Sequence, residues 1–136
     1  MQMSPVIAVH MTAATAAIAT GPVALWARRA GHAHPRLHRA FGYAWVTLMI
    51  ITAVSAIFIR DRELPNIAGY TPIHLLVPVT LVGLFFAFWK LGHRDFAGHR
   101  RVMLRLYIAA CIVTGFFTLL PQRYLGQLLW TQLGLI

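Results

Sequence analysis

Four stretches of this chain are long and apolar enough to cross a lipid bilayer, which leaves little room for any other architecture. A span needs ~20 mostly apolar residues to match the hydrocarbon core. Ser4–Trp26, His38–Ile59, Pro72–Leu91 and His99–Leu120 all qualify. None holds Asp or Glu, and Lys90 stands at the edge of the third. Arg105 lies one to two turns inside the fourth, close enough to its end to snorkel. Composition agrees: 11% of residues are charged, against about 25% in a soluble domain. The expectation is one all-α membrane domain over residues 1–136.

The loops carry the orientation. The first holds Arg28, Arg29, Arg36 and Arg39, and the third holds Lys90, Arg94, Arg100 and Arg101. The second holds Arg60 and Arg62, offset by Asp61 and Glu63. Lys and Arg in short loops mark the cytoplasmic side, so loops one and three are expected inside and both termini outside. Trp26, Trp89, Tyr43 and Trp45 sit near the inner ends of their spans, where such rings favour the headgroup level. The net charge of +9 is thus a topology signal. Nucleic-acid binding needs an exposed basic face on a soluble module, and no such face is expected. Met1–Pro5 lacks the positive n-region of a cleavable signal, so the first span reads as a retained helix. The single cysteine, Cys111, lies in an apolar run and reads as a small buried hydrophobe.

Gly31–Arg39 and Gly92–Arg100 both read G-H-x5-H-R, and each follows an apolar run ending in tryptophan. The chain therefore reads as two parallel helix-pair repeats forming an up-down four-helix bundle. Parallel repeats are related by a pseudo-twofold along the membrane normal. After Pro121, residues 123–135 are too short to span, and Leu125, Leu129 and Leu133 recur at helical spacing. A short C-terminal interfacial helix is expected there.

Each span carries one candidate histidine, and an ionisable residue within a span is a functional lead. The repeat pairs His10 with His74 at the outer side, and His38 with His99 at the inner side. His32, His34 and His93 read as loop residues. About 16 residues separate His10 from the inner end of its span, or ~24 Å of helix, so two stacked sites are expected. Two imidazoles on facing helices suit haem b, because bis-histidine ligation leaves no open position and favours electron transfer. Small residues such as Ala13, Ala17, Gly21 and Gly42 would give a macrocycle room. Arg39, Arg100 and Arg105 would pair with propionates at the inner site, and Arg60, Arg62 or Arg123 at the outer one. Two other readings stay open. The same four histidines suit a zinc, copper or iron ion, and the chain also fits a non-catalytic membrane subunit. Quinone or a redox partner would accompany the cytochrome reading, and a homo-oligomer is open in each.

His38-Arg39-Ala40-Phe41-Gly42 matches an HR-x-x-G signature, and His99-Arg100-Arg101-Val102-Met103 resembles HRR-x-M. Phe117–Arg123 resembles the matching helix-four ending. Together they resemble an uncharacterised family of small bacterial four-helix membrane proteins, which implies a bacterial inner-membrane location. One histidine on each of four consecutive helices is also similar to the core of the ascorbate-reducible two-haem b-type cytochromes. That resemblance implies an outer haem on His10 and His74, an inner one on His38 and His99, and possible transmembrane oxidoreductase activity.

Overall fold

The computed structural model describes residues 4–28, 34–60, 72–121 and 123–135. Arg29, Gly31 and His32 of the first loop, and Asp61, Arg62 and Glu63 of the second, lie outside them. The described residues form helices and turns, with no strand among them. The elements are α1 (Pro5–Trp26), α2 (Pro35–Phe58), a 3-10 turn (Pro72–Leu75), α3 (Leu76–Gly92), α4 (Phe96–Thr118) and α5 (Tyr124–Gln132). Tyr107–Val113 inside α4 is wound as a π-helix. Three helices, α1, α2 and α4, are long and apolar enough to cross a membrane.

The third segment departs from the expected continuous helix. Its α-helical part has 17 residues, and His74 lies in the 3-10 turn ahead of it. Proline explains the break. Pro78 lacks an N–H, which costs nothing only in a first helical turn, where N–H groups have no partner anyway. The 3-10 turn and α3 together still extend ~33 Å.

Helix starts follow local chemistry. The Ser4 hydroxyl accepts from the Ile7 N–H at 3.2 Å, and Pro5 opens α1, an N-cap followed by the proline that favours the first helical position. Pro35 opens α2 likewise. Between α3 and α4, Arg94 adopts φ 57°. Asp95 N–H reaches Lys90 O at 2.9 Å and Arg94 N–H reaches Leu91 O at 3.1 Å, the paired closing bonds of a left-handed C-cap. Asp95 then caps α4, accepting from Gly98 N–H at 2.9 Å and meeting Lys90 Nζ at 3.3 Å. The Gly98 bond, followed by Lys90, holds this carboxyl below its ordinary range.

α1 and α2 run antiparallel, and so do α3 and α4. His10 meets Thr52 while His38 meets Ala24, and Ala87 meets His99 while Gly83 lies under Leu106. Buried Ala13, Ala17, Gly21 and Ala24 form one face of α1, the small-residue spacing that lets helices approach closely. That face is filled by neighbours and gives a macrocycle no room along most of its length. At Gly21 the Tyr107 ring and the Trp45 indole occupy the space of any side chain. Gly42 has no neighbour within 4 Å of where a Cβ would lie.

Pro22 sits inside α1. It has no N–H for the Ile18 carbonyl one turn back. Tyr107 Oη of α4 donates to that carbonyl at 3.0 Å, so a second helix repairs the break. In the apolar interior a carbonyl left without a donor is unfavourable.

Ala17, Trp45, Met49, Leu84, Leu106 and Cys111 form the core. Trp45 corrects the reading of it as a headgroup anchor: it is 5% exposed and central. Tyr43, Trp26 and Trp89 are exposed. So are Val82, Phe85, Phe86 and Phe116, an apolar exterior suited to lipid. α5 folds onto the end of α4. Trp130 Nε1 donates to Leu119 O at 2.8 Å, and Gly126 lies so close to Leu120 O that no side chain fits.

Candidate functional site

His10 faces α2 from the second turn of α1. Its Nδ1 lies 2.9 Å from Thr52 O and 3.0 Å from Ser55 Oγ. Ser55 Oγ spends its own hydrogen on Thr52 O at 3.0 Å. Both partners therefore accept, which assigns the proton to Nδ1 and leaves Nε2 as the lone-pair nitrogen. A backbone carbonyl behind one ring nitrogen is the usual support for an imidazole that ligates through the other. His74 is anchored differently, with Nε2 2.8 Å from Ile59 O at the end of α2.

Both histidines line one cavity of about 490 Å³, within the range of small-molecule sites. Its walls come from all four long segments: Ala14 and Thr15 of α1, Met49 and Thr52 of α2, Val77 and Thr80 of α3, and Ala110, Cys111 and Gly115 of α4. The π-helical stretch contributes three residues to the wall, Ala110, Cys111 and Ile112. Such wide turns concentrate at functional sites. Just after it the Thr114 hydroxyl donates to Ala110 O, which keeps that carbonyl satisfied. Arg123, at the start of α5, also lines the cavity, with its guanidinium 4.7 Å from the Phe117 ring centre. Among the described residues, the one charged side chain in the lining thus comes from the segment that follows α4.

His38 and His99 are arranged otherwise. His38 Nδ1 lies 2.7 Å from Ala24 O, and His99 Nδ1 lies 2.8 Å from Ala87 O. Each ring ties its own helix to the helix before it, and neither lines the cavity. Beside them the loop histidines stack on the two repeat tryptophans. His34 lies 5.3 Å from Trp26 and His93 lies 4.3 Å from Trp89, between ring centres. Arg39, Arg100 and Arg105 are exposed and stand outside the cavity lining. Arg60 is exposed at the end of α2. Among the described residues, no three of His, Cys, Asp and Glu gather as a metal cluster.

Sequence reasoning passed over Tyr107, Met49 and the thiol of Cys111. Tyr107 could have been suspected from Pro22, whose missing N–H demands a substitute donor. Nothing in the spacing shows that Cys111 and Met49 meet, since the two lie on different helices.

An apolar exterior around helices of membrane-spanning length, with a histidine-lined cavity inside, defines a polytopic membrane protein. Residues 7–130 match the family described as "Predicted membrane protein (DUF2306)", and the chain belongs to that family. The family's function is unknown. No curated protein and no solved structure matches the chain.

Proposed function

We propose that this protein is a membrane-embedded b-type cytochrome that holds one haem in the cavity flanked by His10 and His74. The supporting observation is that two imidazoles from different helices open onto one largely apolar cavity. The cavity's fit to the group rests on the chain's own atoms. His10 offers Nε2 with Nδ1 already braced on Thr52 O, the walls are largely aliphatic, and Arg123 in the lining would pair with a propionate. When bound, haem would supply one-electron redox chemistry, and bis-histidine ligation favours electron transfer over ligand activation. The chain's part is to orient the two rings, shield them and neutralise a carboxylate.

This reading assigns a single site. His38 and His99 act as interhelical anchors, because their rings brace carbonyls and do not line the cavity that His10 and His74 border. It also takes the helices as an up-down four-helix bundle in a bacterial inner membrane. Loops one and three would face the cytoplasm, and α5 would lie in the outer interface. A quinone or another redox protein would exchange electrons with it. The absence of a three-ligand cluster among the described residues disfavours a bare zinc or iron ion on the histidines. The test is the absorption spectrum of protein made with ample haem. A Soret band at one haem per chain is expected, and a preparation with none overturns the proposal.

A further inference from the structure

The two halves of the chain differ in one respect that a topology signal does not require. His38-Arg39 near the start of α2 and His99-Arg100 near the start of α4 repeat each other. Aligned on those histidines, Arg101 and Arg105 of α4 fall where α2 has Ala40 and Ala44. Both extra arginines are exposed, as are Leu104 and Ile108. The four stand at i, i+3, i+4 and i+7 on one face of α4, where like charges four apart repel. Among the described residues Asp95 is the one carboxylate. It pairs with Lys90 at 3.3 Å, and Arg101 adds only a weaker attraction. Arg105 is also the last charged residue before the 13 uncharged ones of Leu106–Thr118, in a helix long and apolar enough to cross a membrane. The pair thus stands where hydrocarbon gives way to headgroups, and snorkelling keeps both guanidinium heads there.

We propose that Arg101 and Arg105 bind the phosphodiester of an anionic phospholipid, with its acyl chains laid along Leu104 and Ile108 of the same α4 face. A guanidinium is a planar fork that takes two phosphate oxygens at once. One phosphate between the two arginines replaces their repulsion by two attractions. Charge selects the headgroup. Choline brings its own cation to a place that already holds Arg100, Arg101 and Arg105, whereas an anionic headgroup brings none. The helix selects a lipid over a soluble phosphate, because exposed apolar residues continue beyond the arginines through Ile108 and Ile112. The site lies outside the cavity and uses neither His10 nor His74, so it stands apart from the haem proposal.

The experiment titrates full-length protein in detergent with phosphatidylglycerol or phosphatidylcholine and counts bound lipid by native mass spectrometry. One tightly held phosphatidylglycerol per chain is expected, with phosphatidylcholine held more weakly. Arg101→Ala/Arg105→Ala gives α4 the residues that α2 has at those positions. It should weaken retention about 30-fold, the factor for two basic residues lost from an anionic headgroup. An unchanged melt in lipid-free detergent shows that this variant keeps its fold. Arg101→Lys/Arg105→Lys should fall between, because an ammonium keeps the charge and loses the fork. Arg36→Ala/Arg39→Ala removes the same charge near the start of α2 and should leave retention unchanged. Excess soluble glycerol phosphate should not displace the lipid. Equal retention of the two lipids, equal loss in the α2 variant, or displacement by glycerol phosphate overturns the proposal. Lipid-free protein that loses a bound acidic protein in the alanine variant overturns it too, and assigns the face to that protein.

Discussion

His38 and His99 at one end of the helices, and His10 and His74 at the other, differ in what lies beyond the hydrogen bond each ring makes. All four rings engage a backbone carbonyl of another segment: Ala24, Ala87, Thr52 and Ile59. For His38 and His99 the bond joins a helix to its predecessor. His10 and His74 also border a cavity that Met49 and Cys111 line. A carbonyl partner is therefore no discriminator between a ligand and a brace, since either role would use one. The void is the discriminator. Near His38 and His99 each half also sets a loop histidine against a tryptophan, His34 on Trp26 and His93 on Trp89. His10 and His74 differ from each other, since His10 sits within a helix and His74 in a 3-10 turn.

The largest expected effect breaks this comparison outright. His10→Ala should remove the Soret band, while His38→Ala should keep it and lower stability by ~1–3 kcal/mol, the cost of an unpaired buried carbonyl. Spectra and thermal melts of the two variants in detergent decide the matter. Loss of haem in both would put the inner histidines back among the ligands.

Packing supplies the next contrast. Gly21→Val drives a side chain into the Tyr107 ring and should destabilise by ~3 kcal/mol, at the upper end for overpacking. Gly42→Ala, on the open side of α2, should stay within ~0.5 kcal/mol. Tyr107→Phe falls between the two at ~1 kcal/mol, typical of a hydrogen bond between membrane helices. A Tyr107→Phe melt matching wild type would mean that the Ile18 carbonyl finds another donor.

The smallest effect concerns Asp95. Its pKa is lowered by the fold, so its contribution is fully present above the ordinary value of ~4 and drains as pH falls through the folded value beneath it. Wild type should lose melting temperature on acidification below about pH 4 more steeply than Asp95→Asn. Parallel curves would show that the cap contributes nothing through its charge.

Much of the helical layout was legible in the residues. Ser4-Pro5 and Pro35 mark helix starts by rules that need only neighbours in sequence, and the apolar runs give helix lengths. Pairing His10 with His74 came from repeat spacing, and the two do border one cavity. The rest depended on contacts between distant segments. Trp45 looked like an interfacial ring because its position along the helix was visible and its rotation about the helix axis was not. The π-helical stretch turns on one extra residue per turn, which periodicity over seven residues cannot resolve. Pro72 and Pro78 were visible, yet the apolar run around them hid the change from 3-10 to α.

The partnership of Pro22 with Tyr107 also has a meaning in time. The hydroxyl that completes α1 comes 89 residues later in the chain. At 5–20 residues per second, synthesis delivers it roughly 5 to 20 s after Ile18. Through that interval the first hairpin sits in the bilayer with a carbonyl still waiting. Its assembly with the second hairpin is thus written into α1 as an unfinished bond. A chain truncated before Tyr107 would keep its first two helices and lack the donor that completes α1.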